Sequence, residues 1–409
     1  MLVRKAFKFR LKTNSVQKQQ FQQYGGQARF IWNKCLALNL NRLKQGHRIL
    51  RYQELDFWSK VWKSSEEYDF LKLCPSQVLQ QKLMDLDRAW MDAFDVNQPN
   101  KRLPRFKKKG GRDSFRFPQG FKISGHQIYL PKLGWFRFRQ SQPIIGLVKN
   151  VTVSQKSGEW YVSIQTEHEV VSQYHPKSSA VGVDLGIARF ATLSTGEFFQ
   201  GPQSFRAHET RLGKAQRQLS HCKKRSKNWY KQKKKVQKLH NRIANIRSDY
   251  LHKLSTYLSK NHALIVLEDL KIKNMSASAK GTQESPGVHV KAKSGLNKSI
   301  LDQGWHEFGR QLNYKQAWRQ GEVLFVDPKF TSQTCPSCGK VDKENRRSQS
   351  EFCCTQCGYQ ANADHIGAIN VLRAGHARLA CSAAQVAEFA LANLTPVREC
   401  LQEPLAASG

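Results

Sequence analysis

Two closely spaced pairs of cysteine are the strongest chemical signal in this sequence. Cys335 and Cys338 form the first pair, fifteen residues follow, and Cys354 and Cys357 form the second pair. Each CxxC pair predicts a tight turn that points two thiolates at one ion, and two such turns supply the tetrahedral sulfur ligands that suit Zn²⁺. Because protein atoms fill all four positions, we expect one zinc ion with a structural role.

The residues beside these cysteines support the pairing. Gly339 and Gly358 each follow the second cysteine of a pair, where such a turn needs a residue that tolerates positive φ. Cys353 competes with Cys354 as a ligand, but only Cys354 leaves two residues before Cys357. Ten cysteines in 409 residues are too dilute for a disulfide scaffold, and their clustering indicates metal binding in a reducing compartment.

Three carboxylates end or begin elements whose other residues are mostly apolar. Asp184 ends one apolar run, Glu268 ends another, and Asp364 opens a helical pattern. A buried carboxylate is costly unless a cation pairs with it, so three converging acids would imply bound metal. Carboxylate oxygens favour Mg²⁺, with Mn²⁺ as an alternative, and two such ions can promote phosphodiester hydrolysis. Taken singly, each acid is better explained as a helix cap or a solvent-facing strand end.

Basic residues are concentrated in two tracts. Between Arg211 and Ile243 there are thirteen Lys or Arg and no acid, with Trp229 and Tyr230 in the middle. Like charges one turn apart destabilise a helix, and the phosphates of a nucleic acid would relieve that repulsion, although a solvated face is the alternative. The residues that we predict to contact nucleic acid are Lys107, Lys108, Lys109, Lys223, Lys224, Arg225, Lys231, Lys233, Lys234 and Lys235.

The overall charge points to the same kind of partner. Lys and Arg number 67 and Asp and Glu number 31, which gives a formal net charge of +36. A charge so far from zero attracts polyanions, of which nucleic acid is the first to consider. No apolar run approaches the roughly 20 residues that span a bilayer, so we expect no membrane partner.

Short periodic patterns predict the elements that would hold these residues. Residues 1–13 alternate apolar and basic residues as a strand does, and a helical pattern follows from an N-cap at Asn14. Alternating runs return between residues 114 and 166, as in a small barrel. Residues 207–258 predict a long helical region, whereas 276–298 predict a mobile loop. The predicted fold class is a multidomain α+β protein.

These patterns divide the chain into five segments. At about 150 residues per domain the length allows two or three domains, and changes in pattern place the boundaries. The segments are 1–13 with 96–175 as a β-barrel, 14–95 as a helical insertion, 176–330 with 362–375 as an α/β domain that carries the acids, 331–361 as the cysteine segment, and 376–409 as a flexible tail.

The motifs, in their order along residues 1–375, resemble the TnpB family, which comprises RNA-guided nucleases of bacterial insertion sequences and is related to type V CRISPR effectors. The resemblance rests on VDLGIARFATLSTG, IVLEDLKIKNM, FTSQTCPSCG, FCCTQCG and NADHIGAINVLRAGHA, with support from IYLPKLGW and PRFKKK earlier in the chain. One departure follows Asp364. Many members carry an acidic residue or Asn there and then a second Asn, whereas this chain has His365 and Ile366 and keeps Asn370 further on.

The resemblance implies a fold, a reaction and partners. The fold would be an N-terminal β-barrel with a helical recognition insertion, followed by a RuvC-like nuclease of the RNase H fold with an inserted zinc ribbon. Asp184, Glu268 and Asp364 would be catalytic and would hold two Mg²⁺ ions. The partners would be a guide RNA from the transposon end and double-stranded target DNA beside a short transposon-adjacent motif. We expect an RNA-guided DNA endonuclease, monomeric with its RNA, in the cytoplasm of a bacterium or archaeon and associated with the nucleoid.

Two other functions are compatible with the same residues. A DNA transposase or recombinase would use similar acids and Mg²⁺ but would have to bind transposon ends by itself. A non-catalytic zinc-ribbon regulator would bind nucleic acid and use the acids only structurally. An RNA that co-purifies and directs cleavage would distinguish the first function from the transposase.

Overall fold

The computed structural model describes residues 1–109, 113–170 and 174–392, and it describes residues 382–392 by their backbone alone. The chain forms two compact units, Met1–Val171 and Ser172–Gly409. Each unit has its own sheet and its own hydrophobic core.

The first unit combines a seven-stranded antiparallel sheet with three α-helices. In space the strands follow the order β2-β6-β7-β1-β5-β4-β3. A 3₁₀ helix, Glu66–Leu73, lies between the second and third helices. The elements are β1 (Leu2–Lys12), α1 (Ser15–Lys44), α2 (Tyr52–Ser64), α3 (Ser76–Phe94), β2 (Ser114–Phe117), β3 (Lys122–Ser124), β4 (Gln127–Leu130), β5 (Gly134–Arg139), β6 (Leu147–Lys156) and β7 (Glu159–Glu169).

This sheet is a half-barrel, so the predicted β-barrel is present in part. Within the described part of the chain no ladder joins the two outer strands, β2 and β3. The helices pack on the sheet and share its core: the Phe21 ring on α1 lies 4.7 Å from the Phe136 ring and 5.1 Å from the Trp160 ring. The helices thus cover apolar strand residues that would otherwise have to be buried by closing the sheet into a barrel. The predicted N-cap is confirmed, since Asn14 Oδ1 accepts a hydrogen bond from the Gln17 amide at 2.8 Å.

The second unit is built on a five-stranded mixed sheet. The order is β10-β9-β8-β11-β12, with β8, β11 and β12 parallel and β9 and β10 antiparallel to their neighbours. The elements are β8 (Ala180–Asp184), β9 (Ala191–Leu193), β10 (Phe198–Phe199), α4 (Glu209–Ser220), α5 (Lys227–Asn261), β11 (Leu264–Glu268), α6 (Ile272–Met275), α7 (Val290–Gln303), α8 (Trp305–Ala317), β12 (Glu322–Val326), β13 (Glu351–Cys353), β14 (Gln360–Asn362) and α9 (Ala363–Ala392).

Helices cover both faces of this sheet because its central strands are apolar on both sides. Ile265 and Leu267 of β11 pack in the core formed with α5 and α8, whereas Val266 packs with Val371 of α9. Glycine permits the close approach of α9 to β8. A Cβ atom on Gly182 would lie 2.2 Å from the Ala368 carbonyl oxygen, which no side chain could tolerate.

Three sequence-based boundaries differ from the structure. Residues 207–258 form two helices, α4 and α5, because the chain turns between them and α5 starts at the N-cap Ser226. The predicted loop 276–298 contains the start of α7, which tertiary packing of Ile300 stabilises. Helix α9 continues to Ala392, so the first part of the expected flexible tail is helical, as its alanine content favours. The rest of that tail lies outside the described residues.

None of the helices that the structure describes is both long enough and apolar enough to cross a membrane. The longest, α5, carries many basic residues. This agrees with the absence of a long apolar run in the sequence.

Candidate functional site

The central sheet brings two of the three predicted acids side by side. Strands β8 and β11 are parallel and in register, with Leu267 opposite Val183, so Asp184 and Glu268 follow at the same carboxyl edge. Asp364 is the second residue of α9, which packs against β8. A Cβ atom on Gly367, one turn further on, would lie 3.2 Å from Asp184 Cγ, so the first turns of α9 lie directly against Asp184.

Glu268 and Asp364 are close enough to Asp184 to affect its protonation. Burial, together with the negative charges of Glu268 and Asp364, raises the pKa of Asp184 to about 7. Burial also raises the pKa of Glu268. A bound cation would offset the burial and the repulsion that disfavour the ionised form of Asp184. The donor set therefore fits a hard divalent metal ion.

The spacing of these acids differs from that of a closed site for a single ion. Among the side chains described for residues 1–109, 113–170 and 174–381, only the four predicted cysteine ligands form a group whose ligand atoms all lie within 4.8 Å of one another. The three carboxylates do not form such a group, so bound substrate and water would have to complete a metal site there.

An arginine that the sequence analysis missed faces the acids. Arg346 Nη2 lies 3.8 Å from Asp364 Oδ1, and its positive charge opposes the rise in the pKa of both Asp184 and Glu268. Arg346 belongs to the segment between the two cysteine pairs, where the sequence is polar and without periodicity. The only feature of the sequence that could have indicated a role for Arg346 is its position in that segment, upstream of the third acid.

A hydrogen-bonded chain holds Glu268 in place. Thr331 Oγ1 donates to Glu268 Oε1 at 2.7 Å. Asn370 Nδ2 donates to the carbonyl oxygens of Thr331 and Thr334, at 2.8 Å each. Helix α9 thus fixes the loop that supports Glu268 as well as carrying Asp364. The sequence offered one hint, an asparagine in an otherwise apolar stretch of that helix.

The four predicted cysteines form one compact cluster. Cys335 Sγ lies 3.6 Å from Cys357 Sγ, and Cys338 Sγ lies 3.5 Å from Cys354 Sγ. A tetrahedral ion with bonds of about 2.3 Å to sulfur requires sulfur–sulfur distances of about 3.8 Å, so the cluster has the size of a metal site. The backbone N–H groups of Cys357 and Gln356 point at Cys354 Sγ, and the pKa of that thiol is lowered to about 6.

The neighbours of the cluster match the predictions made from spacing. Gly339 and Gly358 have φ values of 78° and 69°, as the two turns require. Cys353 lies outside the cluster, and its sulfur accepts a hydrogen bond from Gln360. Asn345, which the sequence analysis missed, joins the two turns: its Nδ2 donates to the Lys340 carbonyl oxygen, and its Oδ1 accepts from the Thr355 amide.

The cysteine segment also positions the third acid. Strand β14 runs directly into α9, and Ile366 is buried in a small core with Cys335 and Cys354. His365 Nε2 lies 3.2 Å from the Ser194 carbonyl oxygen near β9. The two residues that depart from the family pattern therefore pack and anchor the first turn of α9, next to Asp364.

The longer basic tract forms one side of a helical hairpin. Helices α4 and α5 share a small core that contains Leu212, Ala215, Val236 and Ile243. All thirteen Lys and Arg side chains between Arg211 and Ile243 are exposed, and none forms an ion pair with another described residue. They include Lys223, Lys224 and Arg225 in the turn and Lys231, Lys233, Lys234 and Lys235 on α5; Lys233 Nζ lies 4.7 Å from the Trp229 ring centroid.

The shorter basic tract lies in the first unit and is only partly described. Lys107 Nζ lies 3.4 Å from the centroid of the Trp32 ring, and its amide donates to Asn33 Oδ1. Lys108 and Lys109 are exposed. Residues 110–112, which complete the tract, lie outside the described residues.

Three family models match parts of the chain. They are a "Probable transposase" model over residues 163–279, a Cas12f1-like TNB domain over 305–371 and a helix-turn-helix domain over 1–48. Residues 1–48 form a strand and a single helix, β1 and α1, rather than a helix-turn-helix.

Two relatives match nearly the whole chain. InsQ of Escherichia coli K12, named as a candidate RNA-guided DNA endonuclease, is 52% identical over 92% of this chain and 93% of its own length. A Streptomyces pristinaespiralis protein with the same description is 32% identical over 93% of this chain and 91% of its own length. The cryo-EM structure of a Cas12f1–sgRNA–target DNA complex aligns with 88% of this chain and 83% of that chain, at 12% identity and a TM-score of 0.49. With identity this high over nearly the full length of InsQ, the chain belongs to the TnpB family.

Proposed function

We propose that this protein is an RNA-guided, metal-dependent DNA endonuclease associated with a transposable element. The observation that supports the chemistry best is the meeting of Asp184, Glu268 and Asp364 at one edge of the central sheet. The guide-directed part of the proposal rests on the names of the relatives that match nearly the whole chain.

We propose a RuvC-like variant of the RNase H fold for the second unit. Three strands that meander antiparallel, β8 to β10, are followed by the parallel strands β11 and β12, and helices cover both faces. The acids lie at the carboxyl edge of adjacent strands and at the start of α9. The cysteine segment would then be a zinc ribbon inserted before the last acid.

The three acids would hold two Mg²⁺ ions, or Mn²⁺ in their place. Bound there, the ions would supply activation of a water molecule and stabilisation of the leaving oxygen of the DNA backbone. Asp184, on the central strand, would share the binding of these ions with Glu268 and Asp364. Thr331 keeps the Glu268 carboxylate in one orientation. Arg346 is placed to neutralise charge on a phosphate at this edge.

Zinc would have a structural role in the cysteine cluster. All four ligand positions come from the protein, so the cluster has no open position for substrate. The ion would fix the two turns that flank the segment containing Arg346, and the second of these turns leads through β14 into Asp364. Loss of zinc would therefore alter the arrangement of the carboxylates indirectly, through these turns.

The partners would be a guide RNA from the transposon end and double-stranded target DNA beside a short transposon-adjacent motif. The net charge of +36 and the thirteen exposed cations of the helical hairpin support binding to a polyanion. We propose that the complex contains one copy of the protein and acts in the cytoplasm of a bacterium, or an archaeon, close to the nucleoid.

The test is to express the protein together with the DNA that flanks its gene and to sequence the RNA that co-purifies. A reprogrammed version of that RNA should direct cleavage of a matching DNA target, and Asp184→Ala should bind the target without cutting it. Strand transfer of transposon ends without RNA would favour the transposase. Binding without Mg²⁺-dependent cleavage by the intact protein would favour the non-catalytic regulator.

A further inference from the structure

A cleft of about 330 Å³ opens beside Glu268, between α8 and the carboxyl edge of the central sheet. Its floor is apolar, whereas its rim along α8 is polar. The floor is formed by Leu185, Leu267, Leu270, Ile272, Trp305 and Phe325.

Helix α8 presents three polar side chains to this cleft. His306, Arg310 and Asn313 follow one another at intervals of four and three residues, which places them on one face of the helix. All three are exposed, whereas Phe308 and Leu312 on the opposite face are fully buried against the sheet. The packing of α8 therefore fixes where the three polar groups point.

One of these groups is ion-paired within the helix and the other two are not. The Arg310 guanidinium donates two hydrogen bonds of 2.7 Å to the Glu307 carboxylate. The side chains of His306 and Asn313 have no hydrogen-bond partner among the residues described by the structure. The cleft thus combines an ion-paired guanidinium with free donor and acceptor groups above an apolar floor.

A nucleobase has the chemistry that matches this combination. Its ring face would lie on the apolar floor, and its edge carries the donors and acceptors that an asparagine amide can bind. The volume is at the lower end of the range for small-ligand pockets, about 300–1,000 Å³, so it suits one base rather than a stack. The attached phosphate would be close enough to Arg310 to be attracted by its positive charge.

We propose that this cleft binds one unpaired nucleobase of the DNA strand whose phosphate lies at the carboxylates. The assignment rests on the proposed function, because Glu268 lines the cleft and also belongs to the proposed metal site. Binding of the base would hold the adjoining phosphate at the acids. A base-paired nucleotide could not enter, so the cleft would select strands that are already unwound.

The experiment compares two single-stranded oligodeoxynucleotides of equal length, one of thymidine and one in which every base is replaced by an abasic spacer. Affinity is measured with RNA-free full-length protein and Ca²⁺ in place of Mg²⁺. The variant is Asn313→Ala, and Asn245→Ala on an exposed position of α5 is the matched control. Arg310→Ala is compared with Lys260→Ala, which removes an exposed charge away from the cleft.

We expect the intact protein to bind the thymidine strand about tenfold more tightly than the abasic strand. Asn313→Ala should reduce this ratio at least threefold, Arg310→Ala should weaken binding of both strands, and the two controls should leave the ratio unchanged. An unchanged ratio in both Asn313→Ala and His306→Ala would overturn the proposal. The assay needs neither guide nor cleavage, so a failure of guided cutting would count against the proposed function alone.

Discussion

Thr331 Oγ1 donates a hydrogen bond of 2.7 Å to Glu268 Oε1 across 63 residues of sequence. Its own carbonyl oxygen accepts a hydrogen bond from Asn370 on α9. One threonine therefore connects the helix that carries Asp364 to the strand that carries Glu268. The relative placement of two proposed metal ligands depends on this residue, which is itself no ligand.

Thr331→Val should slow cleavage about tenfold while leaving the fold intact. Valine has nearly the same shape, so the change removes the hydrogen bond to a charged group, which is worth about 1.5–3 kcal/mol. Glu268 would then adopt other orientations. The cleavage rate at saturating Mg²⁺, together with the thermal unfolding midpoint, measures this. Thr334→Val is the control, because Thr334 Oγ1 bonds to the Phe330 carbonyl oxygen and not to an acid. Equal rates for the two variants would contradict the proposed role.

Cys338→Ser should remove the metal from the cysteine cluster and reduce cleavage as a consequence. A serine hydroxyl is a far weaker ligand for zinc than a thiolate, and the two turns would lose the ion that joins them. The metal content of the purified protein is the direct measurement. Cys353→Ser should retain about one zinc per chain, because Cys353 lies outside the cluster. Full metal content in Cys338→Ser would show that the assignment of ligands is wrong.

Arg346→Ala should bind divalent metal more tightly and yet cleave more slowly. The guanidinium lies 3.8 Å from Asp364 Oδ1, so its removal takes away a positive charge that competes with the metal ion. The same removal takes away a cation that we place near the DNA phosphate. Calorimetric titration with Mn²⁺ and a cleavage assay measure the two effects separately. Arg346→Lys should keep the metal affinity of the intact protein. Tighter binding without slower cleavage would leave Arg346 with no part in the reaction.

The sequence predicted what local pattern determines and missed what tertiary contact determines. The apolar runs that end at Asp184 and Glu268 predicted strands, and the parallel register then followed. The spacing of the cysteines was sufficient to choose Cys354 over Cys353. Arg346 and Thr331 were missed because their partners are distant in sequence and neither residue belongs to a periodic pattern.

Replacing Lys231, Lys233, Lys234 and Lys235 with alanine should weaken binding to RNA and flatten its salt dependence. Each lost phosphate contact should lower the slope of log affinity against log salt by about one. The control removes the same charge from exposed lysines elsewhere in the second unit: Lys260, Lys273, Lys291 and Lys343. Affinity measured over a range of salt concentrations distinguishes the two variants. If the two variants have the same affinity and the same salt dependence, the hairpin contributes to RNA binding only through the net charge of the protein.

Asp184→Asn should stabilise the Mg²⁺-free protein above pH 7. The folded state raises the pKa of Asp184 from 3.8 to about 7, chiefly by burial, so it favours the protonated acid. The resulting stabilisation is complete below pH 3.8 and is lost as the pH rises through 7. Asparagine carries no charge at any pH and avoids this loss. At pH 8 the variant should gain a few kcal/mol, at about 1.4 kcal/mol per pKa unit.

Added Mg²⁺ should reverse the order of stability. The metal ion would bind the ionised Asp184 of the intact protein and raise its unfolding midpoint, whereas the asparagine variant should gain little because it has lost a ligand. Thermal unfolding at pH 5 and pH 8, with and without Mg²⁺, gives all the comparisons. Asp269→Asn changes an exposed carboxylate beside Glu268 and should show neither effect. A variant that is no more stable than the intact protein at pH 8 without Mg²⁺ would mean that Asp184 carries its charge in the fold without cost, and the case for a cation at this edge would then rest on Glu268 and Asp364 alone.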